Sequence, residues 1–111
     1  ILDTSAACHM PDVLEMPYRP PLKDSGLNGE KKYSYRLASQ TCLAGDMIGE
    51  YSFDKALEIG DMLIFEDMAI YSMVKNNTFN GMPLPSIAII HEDNSIEYLK
   101  KFSYADFESR L

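Results

Sequence analysis

Cys42 stands in the run Gln40-Thr41-Cys42-Leu43-Ala44-Gly45-Asp46, between a strand-like stretch and a glycine-bearing turn. A thiol on a loop after a strand can face a cleft, where it can act as a nucleophile or give up a proton. The same residue can equally be a small buried hydrophobe, as most free cysteines are. No His or Lys adjoins it in sequence, so an activating partner has to be delivered by the fold. Tyr71 closes the strand-like stretch Met68-Ala69-Ile70-Tyr71, and Thr78-Phe79-Asn80-Gly81 follows it. A phenol and the N–H groups of a tight turn can together cap a phosphate. An ordinary packed tyrosine explains Tyr71 as well. His9 and His91 lie 82 positions apart and belong to no CxxC or HxxxH pattern. They do not supply the three or four ligands that a metal centre requires, so no metal site is expected. His91, beside Glu92 and Asp93, reads as a solvated surface residue. The carboxylates of Asp3, Asp12, Glu15, Asp46 and Asp61 can in principle gather a cation, although isolated carboxylates are normally solvated.

The elements that must position these groups are mostly short strands. Residues 1–22 are apolar and carry Pro11, Pro17, Pro20 and Pro21, which argues against helix there. Residues 23–32, with Gly26 and Gly29, read as an exposed, mobile loop. Tyr33–Ala38 alternates with period two, and so does Asp61–Glu66, where Leu63 and Phe65 share one face and Met62 and Ile64 the other. Ser86–His91 is a third strand-like run, bounded by Pro83 and Pro85. Gly60-Asp61, Asn76-Asn77 and Asn80-Gly81 are turn signals. Ser103 is placed to cap a short terminal helix that carries Phe107 and Leu111. Short strands joined by turns, with little helix and seven methionines as core filler, predict a mainly β fold, a small barrel or sandwich.

The whole chain bounds the function. Its 111 residues make a single domain, 1–111, with an ordinary globular composition of 46% hydrophobic and 24% charged residues. A formal charge of −7 argues against a nucleic-acid or anionic-membrane partner. No apolar run approaches the roughly 18 residues of a membrane span. Two cysteines form no disulfide framework, in keeping with a reducing compartment. The chain opens on Ile1-Leu2-Asp3 without Met, a start that suggests part of a larger protein.

Cys42-Leu43-Ala44-Gly45-Asp46, Leu57–Phe65, Tyr71 and Thr78-Phe79-Asn80-Gly81 resemble the C-terminal β-barrel domain of the alanine-racemase-fold (fold-type III), pyridoxal-phosphate-dependent decarboxylases of basic amino acids. His9–Pro20 and Ser39–Asp46 are most similar to the carboxynorspermidine (carboxyspermidine) decarboxylase branch. The resemblance spans the chain and is weakest over 23–32. It implies a cytoplasmic homodimer in polyamine biosynthesis with its active site at the interface, and an N-terminal (β/α)₈ barrel that carries pyridoxal 5'-phosphate on a lysine. None of this chain's lysines has the context of that residue, so these 111 residues alone are expected to be inactive. The resemblance further implies Cys42 as the acid that protonates the substrate α-carbon, Tyr71 as a hydrogen-bond donor to the cofactor phosphate, and Asp46 as a neighbour of the substrate's distal amine. Ornithine and diaminopimelate decarboxylases typically place an acidic residue just after the cysteine. Leu43 stands there and cannot pair with an ammonium, which points to a longer substrate whose amines are met elsewhere, with Asp3, Glu15 and Asp46 as candidates. The alternatives are a related ornithine- or diaminopimelate-type decarboxylase, or a β-barrel binding module without activity.

Overall fold

The computed structural model describes residues 1–111. The chain starts with two single-turn helices, α1 (Ala6–His9) and α2 (Asp12–Glu15). Helix over this stretch corrects the expectation drawn from its prolines. Pro11 sits at the N-cap of α2 with φ −62°, where its missing N–H costs nothing, and Pro17, Pro20 and Pro21 follow after the helix has ended. Ser5 caps α1, its hydroxyl accepting the Cys8 N–H at 3.1 Å.

Strands β1 (Tyr33–Ala38) and β2 (Met47–Phe53) pair antiparallel, with Tyr35 opposite Tyr51 and Leu37 opposite Gly49. The burial of β1 follows the alternation seen in its sequence. Packing is tight at Gly49, where a Cβ would lie 3.1 Å from the Tyr51 ring and force it to shift by a few tenths of an ångström. Leu37, Ile48, Tyr51 and Phe53 form the core with Ala6, Met10, Val13 and Leu22. Tyr51 is fully buried; its hydroxyl donates to the Pro20 carbonyl at 2.6 Å, and the Arg19 guanidinium lies 3.9 Å from its ring centre.

Residues 23–32 are mostly exposed yet stitched to β2, which corrects the expectation of a mobile loop. Gly26 exchanges both backbone hydrogen bonds with Ser52, and the buried Ser52 hydroxyl accepts from Lys31 N–H and donates to Leu27 C=O. The segment 61–66 keeps its alternation, with Leu63 and Phe65 against the core and Met62 and Ile64 exposed, but forms only one bridge, Phe65 to Leu22. Its strand-like backbone hydrogen bonds go to Pro21 and Lys23 alone, a stretch entered through two prolines that offer no N–H to a ladder.

Met68–Tyr71 is a turn leading into the single-turn helix α3 (Ser72–Lys75), where a strand ending was expected. A 3₁₀ turn over Phe79–Gly81 follows, with Asn80 at φ 57° and Gly81 at φ 75°. Strands β3 (Ile87–Ile90) and β4 (Ile96–Lys100) form a separate hairpin, and α4 (Tyr104–Glu108) ends the chain behind the Ser103–Asp106 capping box. The sheets are thus two separate two-stranded pairs, and no closed barrel forms; this corrects the barrel expectation. No helix is long and apolar enough to cross a membrane.

Candidate active site around Cys42

Cys42 lies on the connection from β1 to β2, and the carboxylate of Asp46 organises that connection from beneath. Asp46 is 3% exposed. It accepts the Ser5 hydroxyl at 2.8 Å, the Ala7 N–H at 3.0 Å and the Thr41 hydroxyl. Burial acts to raise its pKa, but the hydrogen bonds from Thr41, Ala7 and Ser5 outweigh it and hold the carboxyl below the usual range. Backbone bonds from Ser39 N–H to Asp46 C=O and from Asp46 N–H to Leu43 C=O close the loop. Cys42 and Leu43 therefore stand out on an ordered, exposed turn.

A second turn meets the first at the thiol. The Asn80 side-chain Nδ2 lies 2.7 Å from Cys42 Sγ and donates to it. This turn is fastened to α1: Asn77 donates its backbone N–H to Cys8 C=O at 3.0 Å and its Nδ2 to Ala7 C=O at 2.9 Å. Cys8 Sγ donates to Phe79 C=O at 3.5 Å. Cys8 is buried, and burial pushes its thiol pKa up, so this cysteine packs and ties rather than reacts. Ala7 thus holds the Cys42 loop through its N–H and the Asn80 turn through its C=O.

Tyr71 precedes α3, exposed, with its hydroxyl bonded to no protein group. Ser72 next to it donates to the buried carboxylate of Asp12 at 2.9 Å, which also accepts the Tyr18 hydroxyl at 2.5 Å. Asn76 Nδ2 donates to His9 C=O at 2.8 Å. These bonds dock α3 on α1 and α2, so Tyr71, Cys42 and Asn80 all project from elements fastened to the same two helical turns. No direct hydrogen bond joins Tyr71 to Cys42.

The remaining candidates are placed differently. Asp3 is exposed, with no hydrogen bond or ion pair from its side chain; Glu15 is exposed and paired with Lys75. Neither is linked to the Cys42 loop, and Asp46 is occupied by protein donors. His9 is a structural tie, its Nδ1 accepting Ser5 N–H and its Nε2 donating to Pro83 C=O at 2.9 Å. His91 pairs with Glu97 on the exposed hairpin. A groove of about 650 Å³ runs between α2 and β2 past Tyr18, Arg19 and Met47 and includes none of Cys42, Tyr71 and Asn80. A smaller cavity of about 160 Å³ adjoins the Asn80 turn, lined by Thr78, Gly81, Tyr104 and Phe107. Ser5, Asn77 and the amide of Asn80 were missed as site residues; the Asn80-Gly81 pair signals a turn but carries no sign of the thiol it meets.

An exposed thiol on a loop held by a buried carboxylate, and an exposed phenol on an element docked to the same helical turns, are groups able to move a proton and to hold a phosphate. The family description that matches residues 1–69 is the pyridoxal-dependent decarboxylase C-terminal sheet domain. The chain belongs to this decarboxylase family. Its similarity to the carboxyaminopropylagmatine decarboxylase of Synechocystis sp. is 46% identity over 111 residues, which is 100% of this chain and 29% of that protein. The carboxynorspermidine/carboxyspermidine decarboxylase of Campylobacter jejuni is 43% identical over 122 aligned residues, covering 99% of this chain and 32% of that decarboxylase. The crystal structure of carboxynorspermidine decarboxylase from Campylobacter jejuni, complexed with norspermidine, superposes with a TM-score of 0.91 at 39% identity, over 98% of this chain and 33% of the other. The chain therefore spans about a third of the length of these decarboxylases. Recognition of the carboxynorspermidine decarboxylase branch from the sequence agrees with these relatives.

Proposed function

We propose that this chain is the C-terminal part of a pyridoxal-phosphate-dependent enzyme that decarboxylates carboxynorspermidine or carboxyspermidine to the polyamine, acting as a cytoplasmic homodimer. The observation that carries this reading is the exposed Cys42 thiol on a loop locked by the buried Asp46, in a chain whose fold matches a norspermidine-bound decarboxylase. Residues here fit part of the cofactor's needs. The Tyr71 hydroxyl is free to donate to a phosphate, while the lysine that would carry the cofactor is sought outside this chain. Pyridoxal phosphate, when bound, withdraws electrons from the substrate α-carbon so that the carboxylate leaves as CO₂. Cys42 then delivers a proton from Sγ to that carbon as a general acid.

Leu43 supports the choice of substrate class. It is exposed beside the thiol and offers no charge to a nearby ammonium, so a short diamino acid would lose its partner there. The likeness to carboxyaminopropylagmatine decarboxylase favours a second reading, in which the far end of the substrate is a guanidino group. Release of CO₂ from carboxynorspermidine, carboxyspermidine, carboxyaminopropylagmatine, ornithine and diaminopimelate, measured side by side on the full-length enzyme, separates these readings. Preference for ornithine or diaminopimelate would overturn the substrate class. Preference for the guanidino compound would move the assignment to the second reading.

A further inference from the structure

We propose that Asn80 is a positioning residue that fixes the direction of the Cys42 thiol, so that its proton reaches only one face of the substrate α-carbon. The inference rests on the reading of Cys42 as the proton donor. Asn80 has φ 57°, a conformation glycine adopts at less cost than any other residue. Gly81 beside it, at φ 75°, takes that option. A turn selected only for its shape would be served as well by glycine at 80. The carboxamide is instead in contact with Sγ, at 2.7 Å, and makes no other hydrogen bond. The neighbouring Asn77 uses its amide differently, to fasten the turn to Ala7.

Both ends of the contact are referenced to one support. The thiol's loop is held by Asp46 to Ser5 and Ala7, and the amide's turn is held by Asn77 and Cys8 to the same helical turn. The sulfur therefore meets the amide at a fixed place, although 38 residues separate the two in sequence. With an N–H occupying a sulfur lone pair, rotation about the Cα–Cβ bond of Cys42 is restricted and its S–H is turned away from Asn80. In the chemical step the bond to the carboxylate breaks and leaves its electron pair on the α-carbon. The Sγ–H bond then breaks, its proton forms the new C–H bond, and the sulfur keeps the electron pair as a thiolate. The Asn80 N–H donates to that thiolate until solvent returns the proton.

The test uses the full-length enzyme turning over carboxynorspermidine in D₂O. Asn80→Gly preserves the turn and removes the amide; Asn80→Asp preserves size and tolerance of positive φ but replaces the donor with an acceptor. The wild type should give product with solvent deuterium in one configuration at the former α-carbon. Both variants should give mixed configurations and a kcat lower by about tenfold or more, since small misplacements of reacting groups cost up to about 10²-fold. KM should change little, because Asn80 acts through the thiol. Independently of turnover, the high-pH plateau rate of Cys42 alkylation by iodoacetamide should rise about fivefold in Asn80→Gly, because full ionisation leaves access as the controlling factor. Asn80→Asp also covers failure of the glycine variant to fold. A single configuration with kcat within about twofold of wild type in a folded variant would overturn the assignment. Cys42→Ala separates the two levels. If it too leaves label configuration and kcat unchanged, the proton-donor reading has failed; if it alone is impaired, only the role of Asn80 has.

Discussion

Cys42 and Tyr71 are exposed and make few demands on the fold, so their replacement tests chemistry with little interference from stability. Cys42→Ala in the full-length enzyme should lower kcat by about 10²–10⁴, the usual worth of a positioned general acid. A fall of less than about threefold in steady-state CO₂ release would contradict the acid role. Tyr71→Phe removes a hydroxyl without a protein partner. It should leave stability within about 0.5 kcal/mol of wild type, as surface substitutions do. It should also weaken cofactor retention, read as loss of pyridoxal phosphate absorbance after dialysis. Retention equal to wild type would remove Tyr71 from the phosphate site. Asp46 is the contrasting case: its neighbours consume its carboxylate, so its contribution reaches the thiol through the loop it holds.

Between elements, Asp12 is the strongest tie, joining α2 to α3 through Ser72 and to Tyr18. Burial acts to raise its pKa, and the hydrogen bonds from Tyr18 and Ser72 overcome this, leaving it lowered from 3.8. A lowered carboxyl contributes stability above its unfolded value and loses it as the pH falls through the folded one. Urea unfolding of wild type and Asp12→Asn should therefore differ at pH 7 and converge as the pH is taken well below 3.8. A gap independent of pH would contradict the tie. Tyr18 gives the opposite limb: burial and then Asp12 push its hydroxyl up to about 12 from 10.0, so its contribution is complete below pH 10 and declines as the pH rises through 12. The elements differ in how plainly their sequences announce them. Alternation made β1 legible, an apolar run bounded by Pro83 and Pro85 made β3 so, and Ser103 marked α4. In β2, Gly49-Glu50 interrupts the apolar pattern, and its burial depends on α1, α2 and Leu22 packing over it. The helices α1, α2 and α3 are four residues each, too short for a periodicity to exist, and are tied to the rest of the fold by bonds such as Ala7 N–H to Asp46 and Ser72 to Asp12. Cys42 and Tyr71 are picked out by residue type alone, a thiol and a phenol, and the variants above test the roles proposed for them. The place of Asp46 beneath the loop was not legible, because its partners Ser5 and Ala7 lie 41 and 39 positions away, a closure that no local pattern encodes.

Across the molecule, packing is uneven. Beyond Phe53 only Ser72 and Met82 are buried. The β3–β4 hairpin leaves Ile89, Ile90, Ile96, Tyr98 and Leu99 exposed, and a two-stranded hairpin without a covered face is marginal in water. In the isolated chain, amides of residues 87–100 should exchange with solvent at least about tenfold faster than those of β1 and β2. Equal protection would mean that the hairpin finds cover within the chain. At the site the Cys42 loop and the Asn80 turn are joined through main-chain groups of one residue. Ala7 grips the Cys42 loop with its N–H and the Asn80 turn with its C=O, and its methyl group takes no part in either hydrogen bond. An alanine scan is blind to such a residue, because the scan's endpoint is already there. This anchor of the site is written in main-chain atoms, and chemistry that edits the backbone reveals it: an ester in place of the Ala6–Ala7 amide removes the N–H that holds Asp46, and one in place of the Ala7–Cys8 amide weakens the C=O that holds Asn77.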